Sequence, residues 1–150
     1  MVTNQDIAVG RYTLEGDLLD RTFRPEILNY FSAHPDIAPH VGGPLDFTNS
    51  IRETSVFLFG EHGGLMFEWC APDTYEAHIM LTKQGRGAWG ITATKEALGK
   101  LNAGRVWARI AVHNRALAIH AAICGFKRVE TKTLWVGDDP HQYHIYEWSK

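Results

Sequence analysis

Apolar residues recur along this chain at two different spacings, and the switches between them mark its elements. Ser55–Gly60 (S-V-F-L-F-G) and Leu65–Cys70 (L-M-F-E-W-C) are short apolar runs on either side of E61-H-G-G64, which predicts a β-hairpin. Tyr75–Leu81, entered through a Pro72–Asp73 turn, alternates. Glu76, His78 and Met80 fall on one face, and Tyr75, Ala77, Ile79 and Leu81 on the other. The period then becomes helical: Ile91, Thr94, Ala97, Leu98 and Leu101 share one side of a helix over Ile91–Leu101. Arg105–Val112 returns to a strand. Asn114–Cys124 is a second helix, whose Leu117, Ala118, Ala121 and Ala122 can pack closely on a sheet and which Gly125 is placed to end. Lys127–Trp135 and Gln142–Trp148 are two further strands on either side of G137-D-D-P140.

The N-terminal third is patterned more weakly. A short strand is expected around Ile7–Leu14, and a helix after Arg24–Pro25 with Glu26, Ile27, Leu28, Tyr30 and Phe31. H34-P-D-I-A-P-H-V-G-G-P44, with three prolines, reads as a loop that either connects two elements or shapes access to a site. Most of the strands follow one another as hairpins, and only the last helices separate strands. The order predicts a mixed α+β domain with a mostly antiparallel central sheet, not a doubly wound one.

Composition narrows the classes. At 150 residues and 45% hydrophobic, the chain suits one domain, residues 1–150, with a core that needs no disulfide or metal. Fifteen basic and seventeen acidic side chains leave a net charge of -2, which argues against direct nucleic-acid binding. No apolar run approaches the roughly 20 residues of a membrane span, and the first residues lack a signal-peptide pattern. A cytoplasmic protein is therefore expected. Cys70 and Cys124 lie in apolar stretches and read as buried thiols. Phe57, Phe59, Phe67, Trp69 and Trp107 alternate at strand spacing and read as core. The eight histidines show no metal-ligand spacing; even His141 and His144, three apart, span a turn and a strand.

The chemistry-bearing stretch is Q84-G-R-G-A-W-G90, between a strand and a helix. Its backbone N–H groups at Gly85, Arg86, Gly87 and Ala88, backed by a helix dipole, could hold a phosphate, with Arg86 as a charged donor. A glycine-rich bend that merely starts a helix has the same composition, and the spacing matches neither common nucleotide-binding glycine pattern.

The order of a glycine loop, strand, Asn, helix and Gly-Phe resembles the GCN5-related N-acetyltransferase superfamily, and its ribosomal-protein-alanine acetyltransferase type in particular. That family's Arg/Gln-x-x-Gly-x-Gly/Ala loop is matched at Gln84 and Gly87 and departed from at Trp89. Its Asn followed by Gly-Phe is matched by Asn114, Gly125 and Phe126, and W135-V-G-D-D-P-H-Q-Y-H-I-Y146 is similar to its closing hairpin. The resemblance runs from about Ser55 to Trp148.

It implies a GCN5-like fold binding acetyl-CoA, and acetyl transfer to a primary amine of a small molecule or protein. The pyrophosphate would lie on Gln84–Trp89, the acyl carbonyl near the backbone of Met80 or Leu81, and Asn114 on the pantetheine or capping its helix. Glu76 or His78 could serve as base, or each could be an ordinary strand residue. The Tyr that many relatives carry seven residues after the Asn is Ala121 here, which removes the usual general acid. Together with Trp89, whose ring could crowd the phosphates, fill their cleft or swing outward, this leaves a second reading. In it the chain is a non-catalytic GCN5-like module, of the kind some bacteriophage genomes encode for head assembly, with a homodimer or assembly partner.

Overall fold

The computed structural model describes residues 17–51 and 53–150. The strand expected around Ile7–Leu14 lies outside the described residues. The elements run β1 (Asp20–Arg21), α1 (Pro25–Ala33), α2 (Ala38–Val41), β2 (Val56–Gly60), β3 (Gly63–Ala71) and β4 (Thr74–Leu81). A single 3-10 turn at Lys83–Gly85 leads to α3 (Ala88–Leu101), β5 (Arg105–Ala111), α4 (Arg115–Ile123), β6 (Lys127–Val136) and β7 (Asp139–Ser149). The seven strands form one sheet in the order β1-β2-β3-β4-β5-β7-β6. It is mostly antiparallel, with β4 and β5 pairing in parallel over Thr74–Glu76 and Arg105–Trp107. Among the described residues no helix is long and apolar enough to cross a membrane.

The chain divides into two compact units. The first runs up to Glu68 and includes His78–Asn102. Its core joins Leu28 and Phe31 of α1, Ile37, Phe57 and Phe59 of β2, Met66 of β3 and Met80 of β4. Phe31 and Phe59 stack with ring centroids 5.5 Å apart. Alternation explains the β2 contribution, because Phe57 and Phe59 lie two apart and therefore share a face. The Glu96 carboxylate of α3 accepts the N–H groups of Leu18 and Leu19, each at 2.8 Å. Backbone donors ahead of β1 are thus satisfied by a helix far along the chain.

The second unit comprises Trp69–Ala77 and Ala103–Lys150. β5 pairs with β7 over its whole length, from Arg105↔Ser149 to Ala111↔Tyr143. β6 pairs with β7 and slips register between Arg128 and Glu130, so Val129 is the extra residue of a bulge. Val106, Ile110, Ala121, Cys124, Phe126 and Tyr146 are its buried apolar residues.

Three expectations need correction. The 34–44 segment is not loop throughout, since Ala38–Val41 closes a helical turn that ends at Gly42 in a left-handed conformation. Trp69 is half exposed and Cys70 is exposed, whereas Phe57, Phe59, Phe67 and Cys124 are buried as expected. β3 extends past the core: its first five residues are buried, and the four from Glu68 onward face solvent. An apolar run read from sequence carries no mark of where the covering layer stops.

Candidate functional site

Backbone geometry makes the glycine loop. Thr82 N donates to the His62 carbonyl at 3.0 Å, and Gly85 N to the Thr82 carbonyl at 2.9 Å. This folds the chain back against the β2–β3 turn. A Cβ on Gly85 would stand 2.7 Å from the His62 carbonyl oxygen and 2.9 Å from its Cβ, so no side chain fits there. Gly87 is required for another reason. It has φ 85° and ψ -135°, yet nothing lies within 4 Å of a Cβ built on it. The demand is purely conformational, in a region that L-residues avoid.

Gly87 is the N-cap of α3, and its carbonyl accepts Ile91 N at 3.0 Å. Having no side chain, it caps none of the first-turn donors. The amides of Ala88, Trp89 and Gly90 precede the first intrahelical bond and keep their donor capacity. With fourteen residues of helix behind them, they form an electropositive end suited to an anion.

Trp89, the position that departs from the family pattern, is 4% exposed. Its ring meets the His62 ring edge to face, with centroids 5.1 Å apart at 74°. The indole is therefore packed against a buried histidine of the β2–β3 turn. Of the placements expected from sequence, the outward swing is not adopted. The sequence offered a signal for this contact in the H62-G-G64 turn, but not the pairing itself.

Arg86 and Lys83 are engaged by a residue that sequence reasoning missed. Asp36, between α1 and α2, accepts Lys83 N on its carboxylate at 2.9 Å, and its carbonyl accepts Arg86 Nη2 at 2.6 Å. The Lys83 amide bond, ahead of the His34, Lys83 and Arg86 charges, holds the Asp36 carboxyl below its ordinary value. Arg86 thus stands at the loop with one nitrogen committed. Gln84 is exposed, and Ala88 half-buried at the helix start.

Of the residues near the expected acyl site, Met80 has its side chain in the first unit's core at 1% exposure, which leaves only its backbone for a ligand. Leu81 is half-buried. His78 places Nε2 2.7 Å from Glu68 Oε1. In the second unit Glu76, 8% exposed, accepts from Arg109 Nε on Oε2 at 2.9 Å. Arg109 was not singled out from sequence, although it stands within the apolar run Val106–Ala111 at spacing two from Trp107, whose ring it lies over at 5.9 Å. A buried carboxylate on β4 needs such a cation.

The Asn…Gly-Phe spacing has a direct physical origin. Asn114 is the N-cap of α4, its Oδ1 accepting Leu117 N at 3.2 Å. At the other end Gly125 adopts φ 97°, Gly125 N donates to Ala122 O at 3.1 Å and Phe126 N to Ala121 O at 3.0 Å. That is the paired bond pattern of a Schellman stop. Asn114 and Gly125 are thus the two caps of one helix. Ala121 is buried on it, and burial pushes the neighbouring His120 imidazole below its ordinary value.

No family model matches the sequence, and no curated relative does. Solved structures do match. A mutant of the spermidine N-acetyltransferase SpeG from Vibrio cholerae aligns with a TM-score of 0.69 at 12% identity, over 87% of this chain and 94% of that one. A GNAT-family acetyltransferase from Bacillus anthracis gives 0.67 at 12% identity, over 91% and 97%. The microcin C7 self-immunity acetyltransferase MccE, solved with acetyl-CoA and AMP, gives 0.66 at 16% identity, over 90% and 94%. At these identities the likeness is one of architecture: the chain has the fold of the GCN5-related acetyltransferases.

Proposed function

We propose that the protein transfers an acetyl group from acetyl-CoA to a primary amine of a small molecule or protein. The observation that carries this reading is the end of α3, with Gly87 holding a glycine-only conformation and the Ala88–Gly90 amides left uncapped by any side chain. Gln84, Gly85, Arg86, Gly87 and Ala88 would receive the pyrophosphate. Trp89 contributes its backbone amide there, while its ring holds the loop on His62. Asn114 would present its side-chain amide to the pantetheine while its Oδ1 caps α4.

In the reaction the amine lone pair attacks the thioester carbonyl, and a backbone N–H at Met80 or Leu81 would stabilise the oxyanion. The C–S bond then breaks, and the thiolate takes up a proton. Of the two candidate bases we favour His78, which lies at ion-pair distance from Glu68, because the Glu76 oxygen already accepts from Arg109. The alternative of a non-catalytic assembly module drew on Trp89 and Ala121.

The test is calorimetric titration of acetyl-CoA, followed by thiol release across a panel of amines. Micromolar binding with amine-dependent release is expected. Absence of heat with both acetyl-CoA and free CoA would overturn the reading.

A further inference from the structure

The corner between α1 and α2 is bonded to the glycine loop, and both lie in the first unit. At this corner Ile37 is 3% exposed, within the unit's core. Ile37 N and Ala38 N both donate to the His34 carbonyl at 2.9 Å, and Asp36 N donates to His34 Nδ1 at 3.0 Å. Asp36 is therefore placed by packing and main-chain bonds, and its side chain is 21% exposed. Its two bonds reach both ends of the single 3-10 turn. The carboxylate accepts Lys83 N at the start, and the carbonyl accepts Arg86 Nη2 at the end.

Bonding alone does not require a charge at this position. The side-chain oxygen of an asparagine also accepts a backbone N–H, as Asn114 does at the start of α4. What the carboxylate adds is a negative charge beside the loop's cations. Thr82–Gly90 carries Lys83 and Arg86 and no acidic residue. The Lys83 amide bond, and then the His34, Lys83 and Arg86 charges, keep the Asp36 carboxyl ionised below its usual range. A phosphate on Arg86 and the Ala88–Gly90 amides would draw on cations already shared with an anion, and would repel that anion in turn.

We propose that Asp36 is a built-in competitor of the glycine loop's ligand: its carboxylate lowers the loop's affinity for phosphates and is itself loosened when one binds. Resting on the reading of that loop as a phosphate site, this gives the α1–α2 corner an autoinhibitory contact with it.

The test titrates inorganic pyrophosphate into the 15N-labelled full chain and into Asp36→Asn, following the Gly87–Gly90 amides. The variant keeps an acceptor for Lys83 N and removes the charge. It should bind pyrophosphate about three- to ten-fold more tightly at about 0.01 M salt. That advantage should shrink as salt rises to about 0.15 M and the Debye length falls from about 30 Å to about 8 Å. A side chain that only braced the loop would weaken binding on substitution. If Asp36→Asn unfolds or loses protection of the Lys83 amide, the parent decides. There, saturating pyrophosphate should raise the midpoint of the Asp36 carboxyl 13C titration, the reciprocal of the same repulsion. Equal or weaker binding by a variant that keeps Lys83 protection, a gain that salt does not reduce, an Asp36 midpoint unmoved by pyrophosphate, or no shifts at Gly87–Gly90 in either protein would each overturn the proposal. Acetyl-CoA titrated into the same samples reads the other proposal separately. Tighter pyrophosphate binding by the variant, with no acetyl-CoA bound by either protein, would sink acetyl transfer and leave the role of Asp36 standing.

Discussion

Two glycines of the α3 region provide a matched pair. A Cβ built on Gly87 or on Gly99 meets nothing within 4 Å, so packing contributes to neither substitution. They differ in backbone alone. Gly87 holds φ 85° and ψ -135° at the N-cap, whereas Gly99 lies inside α3. Gly99→Ala should therefore stabilise the protein by about 0.5–1 kcal/mol, through lower unfolded-state entropy and better helix propensity. Gly87→Ala should destabilise it by about 1–3 kcal/mol, the usual cost of an L-residue held in such a region. For a chain of this size each kcal/mol moves the melting temperature by about 2–4 °C. The two variants should then melt on opposite sides of the parent, Gly99→Ala higher and Gly87→Ala lower by at least about 2 °C. The strain can be relieved only by rotating the peptides around residue 87, which redirects the Ala88–Gly90 amides. Gly87→Ala should therefore also lose acetyl-CoA affinity, and Gly99→Ala should keep it. Thermal melts and calorimetry of both variants make the comparison. Equal melting temperatures for the two would refute the claim that the loop's conformation requires glycine.

Two other outcomes follow from the same loop. Trp89→Ala should cost about 3–5 kcal/mol in urea denaturation, as for other buried indoles; a loss near zero would mean that the ring stands in solvent. For Asp36 the sign follows from its depressed folded value: the carboxylate tether to Lys83 is complete above the ordinary Asp range, near 3.9, and is lost as pH falls through the lower folded value. Exchange protection of the Lys83 amide should follow that course in the parent and be low at every pH in Asp36→Ala, and a variant that retained the protection would refute the tether.

Local rules made much of this fold legible. The hairpin of β2 and β3, the alternation of β4 and the helices after Gly87 and Asn114 each depend on neighbours within one element, and each is found within a few residues of its expected bounds. Helix α3 begins three residues before Ile91, because Gly87 starts it by conformation and not by hydrophobic period. What could not be read depends on partners distant in sequence. The Asp36 bond to Lys83 spans 47 residues, and the Glu76 bond to Arg109 spans 33. Neither side chain announces its partner. The exposure of Trp69 and Cys70 depends likewise on where the covering layer ends, which is a property of other segments.

Trp89 shows how a motif can mislead when position is taken for direction. Counting along Q84-G-R-G-A-W-G90 puts residue 89 where relatives keep Gly or Ala, and the count suggests a bulky group on the phosphate side. Side-chain direction is set by the backbone that carries it, and Trp89 occupies the second residue of α3. From there the indole reaches His62, itself 4% exposed, which leaves the first-turn N–H groups as the outward-facing chemistry. A substitution that looks disabling in one dimension is accommodated because the side chain packs inward on His62 while the first-turn amides keep their donor capacity. The determinant to read in such a loop is therefore the glycine whose φ cannot be replaced, Gly87, ahead of the residue two positions on.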